Sequence, residues 1–251
     1  MSLSDTATRG VTTASANGSG RGATTVITGR DLRKTYGEAD SAVEAVRGVD
    51  IALHAGEITV LVGPSGSGKS SLLHLLSGLD TPSSGTVSFD GKSLAEMKEK
   101  ELAAWRAEHV GFVLQRNNLI PTLTLEENVA APLILAGASR AEALERARDM
   151  LTVVGLGGRT KHWPAQVSGG EAARAAVARA CAGNPRVIFA DEPTGALDSE
   201  NSRAVLELFT KLVRKTGVAA LVVTHDPMVA AAGDRVLRLV DGRIAGEDRH
   251  A

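Results

Sequence analysis

The sequence predicts an α/β protein: a parallel sheet carrying a phosphate-binding loop, with a small antiparallel β subdomain and a helical subdomain attached. Three observations lead there. First, a glycine-rich octad, Gly63-Pro64-Ser65-Gly66-Ser67-Gly68-Lys69-Ser70, follows an apolar run at 58–62 and precedes Ser71-Leu72-Leu73-His74-Leu75-Leu76. Strand, loop and helix therefore stand in the order that the pattern G-x-x-x-x-G-K-[ST] requires. Second, apolar runs at 110–114, 187–190 and 219–223 read as buried strands, and polar residues follow each: Gln115, Asp191-Glu192 and Thr224-His225-Asp226. An open parallel sheet gathers its ligands at the carboxyl ends of its strands. Third, the stretch from about 116 to 174 is mostly helical, with Leu and Ala at helical spacing over 138–154 and charges on the opposite face.

Taken in order, residues 1–25 are rich in Ser, Thr, Gly and Ala and read as a disordered N-terminal tail. Residues 26–36 and 42–53 alternate in places like exposed strands, and Ala55-Gly56-Glu57 makes a turn into the loop-bearing strand. After the first helix, residues 77–85 carry turn chemistry, and a strand at 86–90 closes on Asp90-Gly91. These pieces form the antiparallel subdomain. Pro121, Pro132 and Gly155-Leu156-Gly157-Gly158 punctuate the helical subdomain, and an amphipathic helix spans 202–214. A terminal hairpin turns at Asp241-Gly242. The expected organisation is one domain over 26–246, with 247–251 as a short C-terminal tail.

Composition narrows the partners. Of the 251 residues, 28 are Lys or Arg and 29 are Asp or Glu, so no global field points to nucleic acid or anionic lipid. The single cysteine, Cys181, excludes an internal disulfide framework and suits a reducing compartment. It lies in an Ala-rich helical run, where a packed thiol is expected rather than a nucleophile. No apolar run approaches the roughly 18 residues that cross a bilayer, and the longest, at 129–136, is interrupted by Pro132. The start of the chain lacks the charged and apolar regions of a secretion signal. The expected location is cytoplasmic.

The octad carries the chemistry. Glycines reach positive φ and have no Cβ, so successive N–H groups converge on one anion, and the helix opening at Lys69 adds its free amides and dipole. Lys69 is expected to reach the β- and γ-phosphates and the Ser70 hydroxyl to ligate Mg²⁺, with ATP as the nucleotide. Asp191 ends a strand where a Mg²⁺-holding carboxylate sits in such loops. Glu192 is placed to polarise an attacking water as general base. An acidic turn before Pro193 would look similar. Gln115 could bind Mg²⁺ and the water, or merely cap a strand end. His225 could donate to the γ-phosphate, or be structural. Ser168-Gly169-Gly170 opens a helix running to about Cys181 and offers a second anion site, although an N-cap followed by loose glycines fits the same residues. One chain does not need two phosphate cradles for one nucleotide. Two chains packed head to tail do.

From about Val26 to Gly246 the chain resembles the ATP-binding subunits of ABC transporters. The octad matches their phosphate loop, and Val167-Ser168-Gly169-Gly170-Glu171 is similar to their signature L-S-G-G-Q, with Val for Leu and Glu for Gln. Asp191-Glu192 resembles the Walker B pair and Ala196-Leu197-Asp198 the D-loop, while Gln115 and His225 fall at the Q-loop and switch-histidine positions. Tyr36 matches the aromatic that stacks on adenine. The resemblance implies a phosphate-loop NTPase core of RecA-like type. It also implies an ATP-sandwiched homodimer with Ser71 and Asp198 joining the nucleotide contacts, and a separate multispanning permease as the only membrane attachment. Glu171 brings a negative charge near the second anion site, which either weakens ATP clamping or is offset by nearby Arg174, and an active but slower ATPase is expected.

Val110-Gly111-Phe112-Val113-Leu114-Gln115, followed by Asn117, Leu119, Pro121, Leu125 and Glu127-Asn128-Val129, resembles the macrolide-export and lipoprotein-release branch. Export, or extraction of lipid or lipoprotein, is implied, with residues 116–128 as the place where a permease helix docks and no nucleic acid bound. A non-transporting complex that regulates cell-wall hydrolysis or cell division would use the same ATPase. A DNA- or ribosome-acting ATPase lacks its usual insertions or tandem cassettes here. A small-molecule kinase would leave Ser168-Gly169-Gly170 and His225 unexplained.

Overall fold

A computed structural model describes residues 24–115 and 118–250. The N-terminal stretch read as a tail therefore lies outside the described residues, except for Thr24 and Thr25, and so do Arg116 and Asn117 of the expected docking segment.

The chain opens with two long antiparallel strands, β1 (Thr25–Tyr36) and β2 (Val43–His54), followed by β3 (Ile58–Val62) and α1 (Lys69–Leu76). Next come β4 (Ser84–Phe89), β5 (Lys92–Ser93), α2 (Glu99–His109) and β6 (Val110–Leu114). Helices α3 (Leu125–Leu135), α4 (Arg140–Val153) and α5 (Gly169–Cys181) follow. The rest alternates: β7 (Val187–Asp191), α6 (Ser199–Thr216), β8 (Ala219–Val223), α7 (Pro227–Ala231), β9 (Arg235–Val240) and β10 (Arg243–Arg249). A four-stranded antiparallel sheet has the order β2-β1-β4-β5, and a six-stranded sheet has the order β10-β9-β3-β8-β7-β6. The larger sheet is parallel except for β10 at its edge.

The apolar runs form parallel strands because both of their faces are covered. Period-two alternation sends Ile188, Ala190, Ala220 and Val222 to one core, shared with α3, α4, α5 and α6. Val187, Phe189, Ala219, Leu221 and Val223 face the other core, against α1 and the antiparallel sheet. The alanines of α5 bring that helix close to the sheet. A Cβ on Gly111 of β6 would lie 2.3 Å from the Ala180 carbonyl oxygen, so only glycine admits this approach. Cys181 ends α5 in the same packing, buried, and burial pushes its thiol up to about 12, in keeping with a packed thiol.

Two departures from the sequence reading have clear causes. The C-terminal residues expected as a tail continue β10 to Arg249, paired antiparallel with β9. There Glu247 accepts from Arg235 at 3.0 Å and from Arg249 at 3.0 Å, so the charged sequence forms a ladder of ion pairs. The amphipathic helix is longer than 202–214 because Asp198 caps its start and Gly217, at φ 69°, ends it in a left-handed turn. Among the described residues, no helix is long and apolar enough to cross a membrane.

Candidate nucleotide site

Strand register assembles the site. Leu114 pairs with Asp191, Asp191 with Val223, and Leu61 with Val223, so the carboxyl ends of β6, β7, β8 and β3 are level. The residues that follow them are neighbours for that reason. A cavity of about 720 Å³ opens over these ends, lined by Tyr36, the loop from Gly63 to Ser71 apart from Ser67, Gln115, Asp191, Glu192 and His225. Residues drawn from positions 36 to 225 are thus brought to one place.

The loop is braced from behind. Gly68, at φ 98°, forms the N-cap of α1, and a Cβ there would lie 2.1 Å from the Ala45 carbonyl oxygen. Both the conformation and the space require glycine. Ser67 is buried and does not line the cavity; its carbonyl accepts from the Gly242 amide at 3.0 Å, and the Gly242 carbonyl accepts from the Arg47 amide at 2.8 Å. The turn of the terminal hairpin and strand β2 therefore support the phosphate loop, a role that local sequence did not reveal. On the cavity side, Lys69 Nζ donates to the carbonyls of Gly63 and Pro64, both at 2.8 Å.

Two polar clusters follow. Ser70 Oγ donates to Asp191 Oδ2 at 3.2 Å. Burial raises the Asp191 carboxyl above its ordinary value and the adjacent Glu192 charge adds to this, against the Ser70 hydrogen bond. Beside them, Glu192 Oε1 stands 2.6 Å from His225 Nδ1, and the Thr224 hydroxyl donates to Glu192 Oε2 at 3.3 Å. Glu192 adopts φ 48°, the left-handed region that non-glycine residues seldom occupy. Its amide is tied to the Val223 carbonyl at 2.9 Å.

Tyr36 closes the far end. Its hydroxyl donates to Asp80 Oδ2 at 3.0 Å, and Lys34 Nζ lies 2.6 Å from Asp80 Oδ1 and 5.1 Å from the centre of the Tyr36 ring. Burial works to raise the Asp80 carboxyl, but hydrogen bonds from Lys34, the Thr81 amide and Tyr36 outweigh it and hold the group below its ordinary value. Local sequence does not mark Asp80, because the two side chains it holds, Lys34 and Tyr36, are more than 40 residues away.

Ser168, Gly169, Gly170 and Asp198 are placed elsewhere, since none of them lines this cavity. Ser168 caps α5: its hydroxyl accepts from the Glu171 amide at 3.2 Å, and Glu171 Oε2 accepts from the Ser168 amide at 2.9 Å. This reciprocal box places the Glu171 charge on the helix end itself. The Ser168 amide holds the Glu171 carboxyl below its ordinary value, with burial opposing. The cation facing Glu171 is Arg159, at 3.4 Å, and not Arg174 as the sequence suggested. Glu171 reaches back toward the N-terminus of α5, while Arg174 lies one turn onward. The Asp198 carboxylate caps α6, accepting from the amides of Glu200 and Asn201 at 3.1 and 2.9 Å. A Cβ on Gly170 would lie 2.3 Å from Asn201 Oδ1, so the starts of α5 and α6 abut.

The cap carries a measurable consequence. Glu171→Ala removes half of the box and is expected to cost about 1 kcal/mol, whereas Glu171→Gln keeps it at well under half that cost. Denaturant unfolding of the two variants checks the difference.

Comparison with known proteins gives a consistent result. The family model described as ABC transporter matches residues 46–195. The ATP-binding protein YbbA of Escherichia coli is 48% identical over 216 residues, which is 86% of this chain and 95% of that protein. The lipoprotein-releasing system ATP-binding protein LolD of Bordetella pertussis is 45% identical over 213 residues, 85% of this chain and 92% of that protein. The macrolide export ATP-binding/permease protein MacB of Shigella flexneri is 44% identical over 215 residues, and the chain spans 33% of its length. Among solved structures, the dimeric post-hydrolysis state of the ATP-binding cassette MJ0796 bound to ADP and Pi superposes with a TM-score of 0.81 at 38% identity. The match covers 89% of this chain and 98% of that one.

Proposed function

The chain belongs to the ABC transporter family as an ATP-binding component, and from that premise we propose that two copies close on two ATP molecules to drive a separate permease. One observation carries the reading: the phosphate loop, Gln115, Asp191, Glu192 and His225 share one cavity, while Ser168, Gly169 and Gly170 stand outside it. Each copy thus holds half of a site in each of two places. A head-to-tail pair joins the cavity of one copy to the α5 start of the other.

In that pair Tyr36 stacks on the adenine, held by Asp80 and Lys34. The loop amides and Lys69 hold the phosphates, and Ser71 and Asp198 join the nucleotide contacts. The donor set suits Mg²⁺: hydroxyl, carboxylate and amide oxygens from Ser70, Asp191 and Gln115 are the hard ligands that this ion takes. When bound, the ion neutralises phosphate charge. Glu192 takes the proton of the attacking water, and His225 donates to the γ-phosphate. ATP binds the closed pair better than the open one, and this difference is what does work on the permease. The permease holds the chain at the cytoplasmic face of the inner membrane, and the branch points to export or to extraction of lipid or lipoprotein.

Lys69→Ala tests the loop. Loss of hydrogen bonds from a charged donor is expected to weaken ATP binding about ten- to hundredfold. Titration with a fluorescent ATP analogue measures it, and unaltered affinity would contradict the assignment.

A further inference from the structure

We propose that Thr224 is a positioning residue for hydrolysis, the fixed anchor that aims the Glu192 carboxylate. The inference rests on the reading of Glu192 as general base and deepens it. Thr224 is fully buried, and its amide donates to the Leu61 carbonyl at 3.2 Å, so the strand end beside the phosphate loop holds it in place.

The direction of its side-chain hydrogen bond follows from its partners. Thr224 Oγ1 accepts from the Asp226 amide at 3.0 Å. An amide can only donate, so the hydroxyl proton is left for Glu192 Oε2, at 3.3 Å. Glu192 itself occupies the left-handed region, a conformation that persists only when its surroundings over-determine it. Its carboxylate has two anchors of different kinds. His225, at 2.6 Å, has a side chain 75% exposed and is the group that the mechanism needs at the γ-phosphate. Thr224 has no exposed surface, and its hydroxyl is also held by the Asp226 amide. When His225 turns to the phosphate, the threonine hydroxyl is the hydrogen bond that remains on the base.

Positioning of this kind acts on the chemical step rather than on binding. A misplacement of about 1 Å costs up to about a hundredfold in rate. Thr224→Val keeps the shape and removes the hydroxyl, and Thr224→Ala removes it without a second methyl beside the Asp226 amide. Both are expected to lower kcat of the full-length protein about ten- to hundredfold. KM for ATP and binding of a fluorescent ATP analogue are expected to stay within about twofold. Thr224→Ser restores the hydroxyl and is expected to recover most of kcat. Thermal unfolding of each variant reports whether the fold is kept. If Val proves disruptive, the Ala and Ser pair carries the comparison.

Wild-type kcat in both hydroxyl-free variants overturns the inference, and so does a loss that serine fails to restore. Glu192→Gln, measured alongside, separates the two levels. A fast Glu192→Gln variant removes the base assignment itself. A slow Glu192→Gln with fast Thr224→Val and Thr224→Ala removes only the role of Thr224.

Discussion

Glu192→Gln is expected to lower ATP turnover about a hundred- to ten-thousandfold while leaving ATP binding intact. Glutamine has the shape of glutamate and can still accept from the Thr224 hydroxyl, so the left-handed backbone at φ 48° and its tie to Val223 are kept. What is lost is the capacity to take a proton from water. The neighbouring Asp191 and Ser70 remain paired, so the part of the site proposed for Mg²⁺ is undisturbed. Steady-state phosphate release and nucleotide titration together read the two halves of this expectation. Rapid turnover in the variant would remove Glu192 from its role.

Ser168→Arg is the second change with a large effect. In a single copy Ser168 touches nothing in the nucleotide cavity; it caps α5 through the Glu171 amide. If the site were complete within one chain, the substitution would cost only the helix cap, about 1 kcal/mol of stability. If the α5 start closes on the nucleotide of a second copy, a bulky side chain there blocks closure, and turnover is expected to fall by about a hundredfold or more. ATP affinity of the separate chain is expected to persist, because the phosphate loop is untouched. Phosphate release and nucleotide titration again separate the outcomes.

Much of this was legible in the sequence because the strongest signals are local. Each apolar strand lies within a few positions of the loop or the polar residues at its own carboxyl end, and parallel pairing with level ends brings those ends together. The chain resisted reading where a side chain is held by a partner far away. Asp80 serves Tyr36 across 44 residues, and Thr224 serves Glu192 across 32. Gly242 supports Ser67 from the terminal hairpin. Helix α2 carries little apolar periodicity, and only Trp105 is buried along it, edge-on to Phe89 with ring centres 5.3 Å apart. The end of the last strand, 247–249, reads as a polar tail because its countercharge, Arg235, lies 12 residues earlier on the neighbouring strand. Proximity in sequence to Glu171 suggests Arg174 as its countercharge, whereas the carboxylate direction set by the capping box selects Arg159.

The most direct measurement is the mass of Glu192→Gln in solution under saturating ATP, by light scattering on a sizing column. Twice the 26.0 kDa of one chain is expected, returning to the single-chain value when Ser168→Arg is added to the same protein. A single-chain mass for Glu192→Gln with ATP bound, unaffected by the change at Ser168, would contradict a nucleotide site shared between two copies.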